Sequence, residues 1–241
     1  MSTISKTLKT GILGGLTAVM MSASAFAGGD LMAPPAQKSA CGLSANVALT
    51  NDYIFRGVTQ TDGDAAVQGG VDASCGIFYA GVWGSNVDFG DDTTVEVDFY
   101  AGIKPVYKGI TFDLGVIVYA YDDADEVVEV KLGASAEVYA GATLGFTTYL
   151  NTDDEVYTYE FAFEKAFSSK IGPFTPTFKA VVGLVDDDTD FTGLGGDYTY
   201  WNAGVSLGFA SNYAIDLRYH DTDVDTAASD ERFTATLSAS F

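Results

Sequence analysis

The segment Phe233-Thr-Ala-Thr-Leu-Ser-Ala-Ser-Phe241 alternates apolar and small polar positions without a break and ends on an aromatic. In a strand, this period of two puts Phe233, Ala235, Leu237, Ala239 and Phe241 on one face and Thr234, Thr236, Ser238 and Ser240 on the other. A half-buried strand of a soluble sandwich reads the same way, but seldom ends a chain with its last aromatic pointing at water. Lipid outside and water inside explain both features. Alternating runs of roughly ten residues recur from Leu43 onward, each bounded by turn residues. Twelve are predicted, at 43–56, 65–74, 77–88, 94–106, 110–121, 127–139, 142–151, 155–166, 174–186, 198–209, 212–221 and 232–241. The expected fold is all-β, a transmembrane antiparallel up-and-down barrel of about twelve strands over residues 43–241.

Several runs sort cleanly into two faces. The fourth sets Val95, Val97, Phe99, Ala101 and Ile103 against Glu96, Asp98, Tyr100, Gly102 and Lys104. The eighth sets Tyr157, Tyr159, Phe161 and Phe163 against Thr158, Glu160, Ala162 and Glu164. A basic residue on the lipid face near the bilayer midplane costs roughly 2–4 kcal/mol, and these apolar faces carry no charge. Aromatics gather at strand ends, as at Tyr53 and Phe55, Tyr119 and Tyr121, Tyr157 and Tyr159, and Tyr198, Tyr200 and Trp201, where interfacial girdles are expected.

The connections alternate in character. Short, partly basic turns are expected near Cys75-Gly76, 106–109, 139–141, 168–173 and 210–212. The intervening loops hold most of the acids, including Asp88, Asp91 and Asp92, then Asp186, Asp187, Asp188, Asp190 and Asp197, then Asp221, Asp223, Asp225, Asp230 and Glu231. That alternation fits a meander with short turns on the periplasmic side and acidic loops outside, and it supports the strand count independently of hydropathy.

Residues 1–27 carry Lys6 and Lys9, an apolar run of small residues and Ala25-Phe26-Ala27, the pattern of a secretory signal peptide with its cleavage site. Residues 28–42, with Pro34-Pro35, read as a flexible periplasmic lead-in. Export to the bacterial outer membrane follows from these signals and the barrel pattern. The terminal Phe241 is expected to engage the barrel-assembly machinery, and outer-membrane lipid and lipopolysaccharide are the expected surroundings. The chain has 33 acidic against 12 basic residues, which excludes nucleic acid as a partner. With 47% hydrophobic residues it is nevertheless no disordered polyanion, so the charge must be segregated.

Cys41 and Cys75 are the only cysteines. In an exported chain an even number favours a disulfide over a metal site, the other reading being two buried thiols. A bridge centres the first hairpin near Val58, whereas the turn composition centres it nearer Thr61, an offset that a bulge could absorb.

Enzyme chemistry finds little support. The single histidine, His220, has no G-x-S-x-G partner motif, and a polar role at the barrel rim is expected for it. No nucleotide fingerprint or zinc-spaced cluster occurs, so no cofactor is expected. Asp186, Asp188 and Asp190, and likewise Asp221, Asp223 and Asp225, have the clustered carboxylates that weak calcium sites use. The second run departs from an EF-hand, with Thr226 at position six and Arg232 at position twelve, and a diffuse cation-attracting loop is the competing reading of both.

The polar strand faces predict the lumen wall. Gln68, Asp72, Glu96, Asp98, Asp113, Glu129, Glu137, Glu160, Glu164 and Asp216 point inward, with Arg56, Lys131, Lys179 and Arg218 among them. Their excess of acids suggests a cation preference. Asp52 and Arg56 share one face of the first strand in this reading, opposite Gln68 and Asp72 on its hairpin partner. That cluster shapes the wall, either as a bracing network or as a contact for solute. A lumen of twelve strands accommodates a narrow pore or a plugged interior.

Three segments also resemble a known family. They are Asn-Val-Ala-Leu-Thr-Asn-Asp-Tyr-Ile-Phe-Arg-Gly-Val-Thr-Gln-Thr (46–61), Ala-Val-Gln-Gly-Gly-Val-Asp (66–72) and Phe-Tyr-Ala-Gly-Val-Trp-Gly-Ser-Asn-Val (78–87). They are similar to the TorF family of outer-membrane proteins, a resemblance that implies a β-barrel with a provisional porin role and no defined substrate. The expected function is passive diffusion of small polar or cationic solutes. The alternative is a non-transporting barrel whose acidic loops bind divalent cations or a partner.

Overall fold

The computed structural model describes residues 41–241; the signal peptide and nearly all of the lead-in predicted above lie outside them. Twelve long strands form the barrel: β1 (Gly42–Thr50), β2 (Ala66–Cys75), β3 (Phe78–Asn86), β4 (Val95–Ile103), β5 (Ile110–Tyr121), β6 (Val127–Tyr139), β7 (Ala142–Asn151), β8 (Tyr157–Ala166), β9 (Thr175–Asp186), β10 (Tyr198–Phe209), β11 (Tyr213–Thr222) and β12 (Arg232–Ser240). Each pairs antiparallel with its neighbours in sequence, and β12 pairs with β1 from Asn46↔Ser240 to Thr50↔Thr236, so no edge is left open. Phe241 extends the seam, its N–H donating to Ala45 O and its carbonyl accepting from Ala45 N.

Alternation decides which way each side chain points. On β12, Thr234, Thr236 and Ser238 are buried inside while Phe233 and Leu237 lie exposed outside. The outer wall carries Val47, Leu49, Val71, Phe99, Leu114, Val116, Leu132, Phe161, Val182 and Leu184, the exposed apolar belt characteristic of a transmembrane barrel. Apolar side chains are therefore exposed outside, while charges such as Glu96, Glu129, Glu160 and Arg218 are buried inside.

The largest departure from the sequence reading is at the first strand. The run predicted at 43–56 stops at Thr50, because the chain leaves the wall and folds into the lumen. Residues 51–65 carry a small hairpin, Ile54–Phe55 against Val58–Thr59, turned at Arg56-Gly57 with φ of 43° and 84°. Positive φ at both central residues is the type I′ geometry that suits a two-residue hairpin. Asp52, Tyr53, Phe55, Arg56, Val58, Thr59, Gln60 and Thr61 are all buried. β1 and β2 pair from Gly42↔Ser74 to Thr50↔Ala66, a register that sets Cys41 opposite Cys75 and centres the loop on Val58. The two cysteines form a disulfide, and the offset inferred from turn composition vanishes because the turn residues near Thr61 belong to the inward loop.

The barrel thus has a loop end, with connections 51–65, 87–94, 122–126, 152–156, 187–197 and 223–231, and a turn end with connections 76–77, 104–109, 140–141, 167–174 and 210–212 and the disulfide. The core sits inside the loop end. One cluster joins Tyr53 and Phe55 to Trp83, Val87, Ile117, Tyr119, Val127 and Tyr149, and a second joins Val156, Val181, Val185, Tyr198 and Tyr200; Phe191 packs against both. Tyr53, Phe55, Tyr119, Tyr198 and Tyr200 were expected in interfacial girdles, but the first two belong to the inward loop itself and the inward parity of the other three buries them inside the barrel. Trp201 and Tyr157 do face outward.

Candidate functional site

The site is the junction between the inward loop and the barrel wall. Arg56 is at the hairpin tip, and its guanidinium donates to both carboxylate oxygens of Glu129 on β6 at 2.9 and 3.1 Å. Its Cζ lies 4.8 Å from the centroid of the Phe55 ring and 4.9 Å from that of Tyr149. Two parallel N–H···O bonds and two aromatic faces make this a geometrically specific anchor. Tyr119 adds a hydroxyl donor to Glu129 at 3.2 Å.

Gly57 provides the close approach. A Cβ there would lie 2.2 Å from Thr222 Cγ2 and 2.9 Å from Tyr200 Cβ, so the tip packs directly on β10 and β11. Tyr200 in turn lies across its β9 partner Gly183, where a Cβ would come within 2.1 Å of Tyr200 Cζ, and donates to Glu160. At the base of the loop, Asp52 accepts from Thr59 Oγ1 at 2.6 Å and Thr61 Oγ1 at 3.1 Å, and pairs with Arg232 of β12 at 3.2 Å. Backbone bonds from Thr59 N to Ala228 O and from Asp88 N to Gln60 O tie the loop to two other connections.

Every strand contributes a buried inward residue at this level, for example Thr50, Gln68, Trp83, Glu96, Tyr119, Glu129, Tyr149, Thr158, Val185, Tyr200, His220 and Thr234, each less than a tenth exposed. The lumen is closed there by the loop.

Toward the turn end the wall changes character. Asp113 pairs with Lys131 at 2.8 Å and Lys104 at 3.7 Å and accepts from the Tyr79 hydroxyl at 2.7 Å, all of these groups being half-buried. Asp72 accepts from Tyr100. On the other side, Glu164 pairs with Lys179 at 3.3 Å, and Asp216 with Arg218, which also donates to Asn202 at 2.6 Å.

The inward placement of Gln68, Asp72, Glu96, Asp98, Asp113, Glu129, Lys131, Glu160, Glu164, Asp216 and Arg218 follows from strand parity. The proposed cluster of Asp52 and Arg56 with Gln68 and Asp72 does not form. The first two sit on the inward loop in separate networks, while Gln68 and Asp72 lie on β2 opposite Ala48 and Ser44. Glu129 bonds Arg56 rather than the neighbourhood of Lys131, whose partner is Asp113. Glu137 is exposed at the turn end, where it accepts from Gly141 N. His220 is not at an open rim but buried on the inner face of β11, 3.1 Å from Thr234 Oγ1.

Among the acidic loops, Asp186 and Asp188 come together with Asp197 rather than with Asp190, whose carboxylate accepts from Gly195 N. Asp223 instead accepts from Thr199 N, and Asp221 from Thr222 N. Asp187 is the structural organiser of loop 187–197. Burial works against its charge, but hydrogen bonds from Thr192, Phe191 and Thr189 outweigh that and hold its carboxyl below the usual range.

The family described as a bacterial protein of unknown function (Gcw_chp) matches residues 35–241. The chain belongs to the Gcw_chp family. No curated protein matches it by sequence. Among solved structures, this Gcw_chp barrel is similar to the KdgM porin, with a TM-score of 0.59 at 8% identity over 84% of this chain and 99% of that one. The NanC porin gives 0.54 at 10% identity over 83% and 99%. LpxR from Salmonella typhimurium gives 0.51 at 9% identity over 82% and 99%. At these identities the likeness is one of fold.

The residues missed by sequence reasoning are those of the plug: Tyr53, Phe55, Gln60 and Thr61, together with Tyr149 and Arg232 that receive it. Asn51-Asp52 inside the supposed strand 43–56, and Arg56-Gly57 at its end, were the available turn signals.

Proposed function

We propose that this protein is an outer-membrane porin of the kind the TorF resemblance implies, closed from the loop end by residues 51–65 and passing small polar or cationic solutes when that plug is displaced. The observation that carries the reading is the build of the plug. It is a continuous hairpin held by side-chain contacts and a few loop bonds, inside a wall that remains polar and charged to the turn end. The acidic loops 187–197 and 223–231 would concentrate cations at the mouth. Similarity of fold to the KdgM and NanC porins supports the same reading.

The closed layer favours a second reading, a non-transporting barrel whose loops contact divalent cations or a partner. Planar-bilayer recordings of the wild type and Arg56→Ala separate the two. Rare openings that become frequent in the variant, with a cation-selective reversal potential, support the porin. Silence from both proteins, with the folded barrel verified, removes it.

Assembly through the C-terminal aromatic is part of the same proposal. Since the Phe241 backbone also closes the seam, Phe241→Ala is the cleaner test than deletion. Slower membrane assembly with unchanged conductance is expected, and normal assembly kinetics would refute it.

A further inference from the structure

Behind the plug, β4 carries two acids at successive inward positions, Glu96 and Asp98, both fully buried. Two positions apart on one strand, they project side by side from its inner face. Glu96 Oε1 accepts from the hydroxyl of Tyr53, a plug residue, at 3.3 Å. Among the described residues, Glu96 Oε2 and both oxygens of Asp98 have no hydrogen-bond partner.

The groups packed around the pair offer no counter-charge. Ser85 and Trp83 face it from β3, Tyr121 and Tyr119 from β5 and Tyr53 from the plug, and Glu129 adds a further negative charge. Arg56 is engaged by both oxygens of Glu129. Two ionised carboxylates side by side and away from water repel each other strongly, while a single proton shared by the pair removes that repulsion and satisfies two of the three orphaned atoms.

We propose that Glu96 and Asp98 form a proton-binding site that keeps the plug seated when occupied and expels Tyr53 and the rest of the hairpin when it empties. The inference rests on residues 51–65 being displaceable but not on what passes through the barrel.

Both native cysteines are bridged, so Val58→Cys puts a single free thiol in the buried hairpin, and Asp64→Cys puts one at an exposed position of the same loop. Maleimide labelling of the first relative to the second is measured from about pH 5 to about pH 9, with and without chelator. The labelling ratio is expected to rise by up to about tenfold per pH unit, the slope of one linked proton. It stays flat and low in the Glu96→Gln/Asp98→Asn background, which is uncharged at every pH. A flat ratio in the parent, or an equal rise in the double variant, overturns the proposal. So does a rise caused by chelator at low pH, because a metal cation then occupies the pair. pH-dependent labelling in a barrel that never conducts keeps the proton site and removes the porin, which separates the two failures.

Discussion

The two halves of this barrel's interior meet opposite demands with the same alternating strands. At the turn end, Asp113, Lys131, Lys104 and Tyr79 form a half-buried polar network with access to water. At the loop end the inward positions hold Trp83, Ile117, Tyr119, Tyr149 and Tyr200, and the hairpin of residues 54–59 fills the space between them. Charges persist there, but each carboxylate or cation is buried, so its partner matters far more. A buried pair broken on one side costs several kcal/mol, whereas a solvated one costs a fraction of that. Inward does not mean wet in a barrel; the wall is polar where water enters and aromatic where a loop does.

The sharpest way to break this contrast is at Arg56. Arg56→Ala leaves Glu129 buried without its cation and is expected to weaken plug docking by about 3–5 kcal/mol. The checks are bilayer conductance and hydrogen exchange across residues 52–61. Arg56→Met/Glu129→Met removes both charges and should restore much of the closure, because the penalty lies in the orphaned partner. If the double variant is as open as the single one, the pair itself is what closes the barrel.

Gly57→Ala comes next. It forces a Cβ into a backbone at φ 84° and against Tyr200 and Thr222, for an expected cost of about 1–3 kcal/mol in plug stability. Exchange protection of the hairpin measures it, and protection equal to wild type would show that the tip is loosely packed.

At the turn end the expected effects are smaller. Asp113→Asn strips Lys131 and Lys104 of their shared carboxylate and should shift the reversal potential toward anions in the Arg56→Ala channel, with less than about 1 kcal/mol of stability lost. Loss of plug protection in this variant would erase the division between the halves.

The smallest effect concerns Asp122, exposed at the loop end. Hydrogen bonds from the Thr94 hydroxyl, Thr94 N and Val95 N pull its pKa down to about 2. Its folded value is depressed, so its contribution is present above the ordinary carboxylate range near 3.9 and is lost as pH falls through about 2. A carboxyl-carbon NMR titration of the folded barrel should find Asp122 still ionised at the pH where a carboxylate of ordinary value is half protonated, and half-protonation of Asp122 at that pH would refute it.

Much of the candidate site was legible in the chain. Period-two alternation placed Glu96, Asp113, Glu129 and Glu164 inside and Phe99, Leu114 and Phe161 outside, because a pleated strand leaves a side chain only two directions. The alternation of acidic loops with short turns gave the two ends of the barrel. The first strand was overextended because Tyr53, Ile54 and Phe55 are as apolar in a lumen-filling hairpin as in a lipid-facing strand.

By itself, the sequence determined the strand count, the polarity of each face, the seam-forming C-terminal strand and the chemistry available to the interior, since all of these depend on neighbours one or two residues away. Only the tertiary structure decided that Arg56 meets Glu129, that Tyr119 and Tyr200 face a plug instead of a membrane interface, and that Glu96 and Asp98 are left together without a counter-ion. Those outcomes depend on where a loop of fifteen residues, 51–65, comes to rest inside a closed ring, and that is set by contacts between strands far apart in the chain.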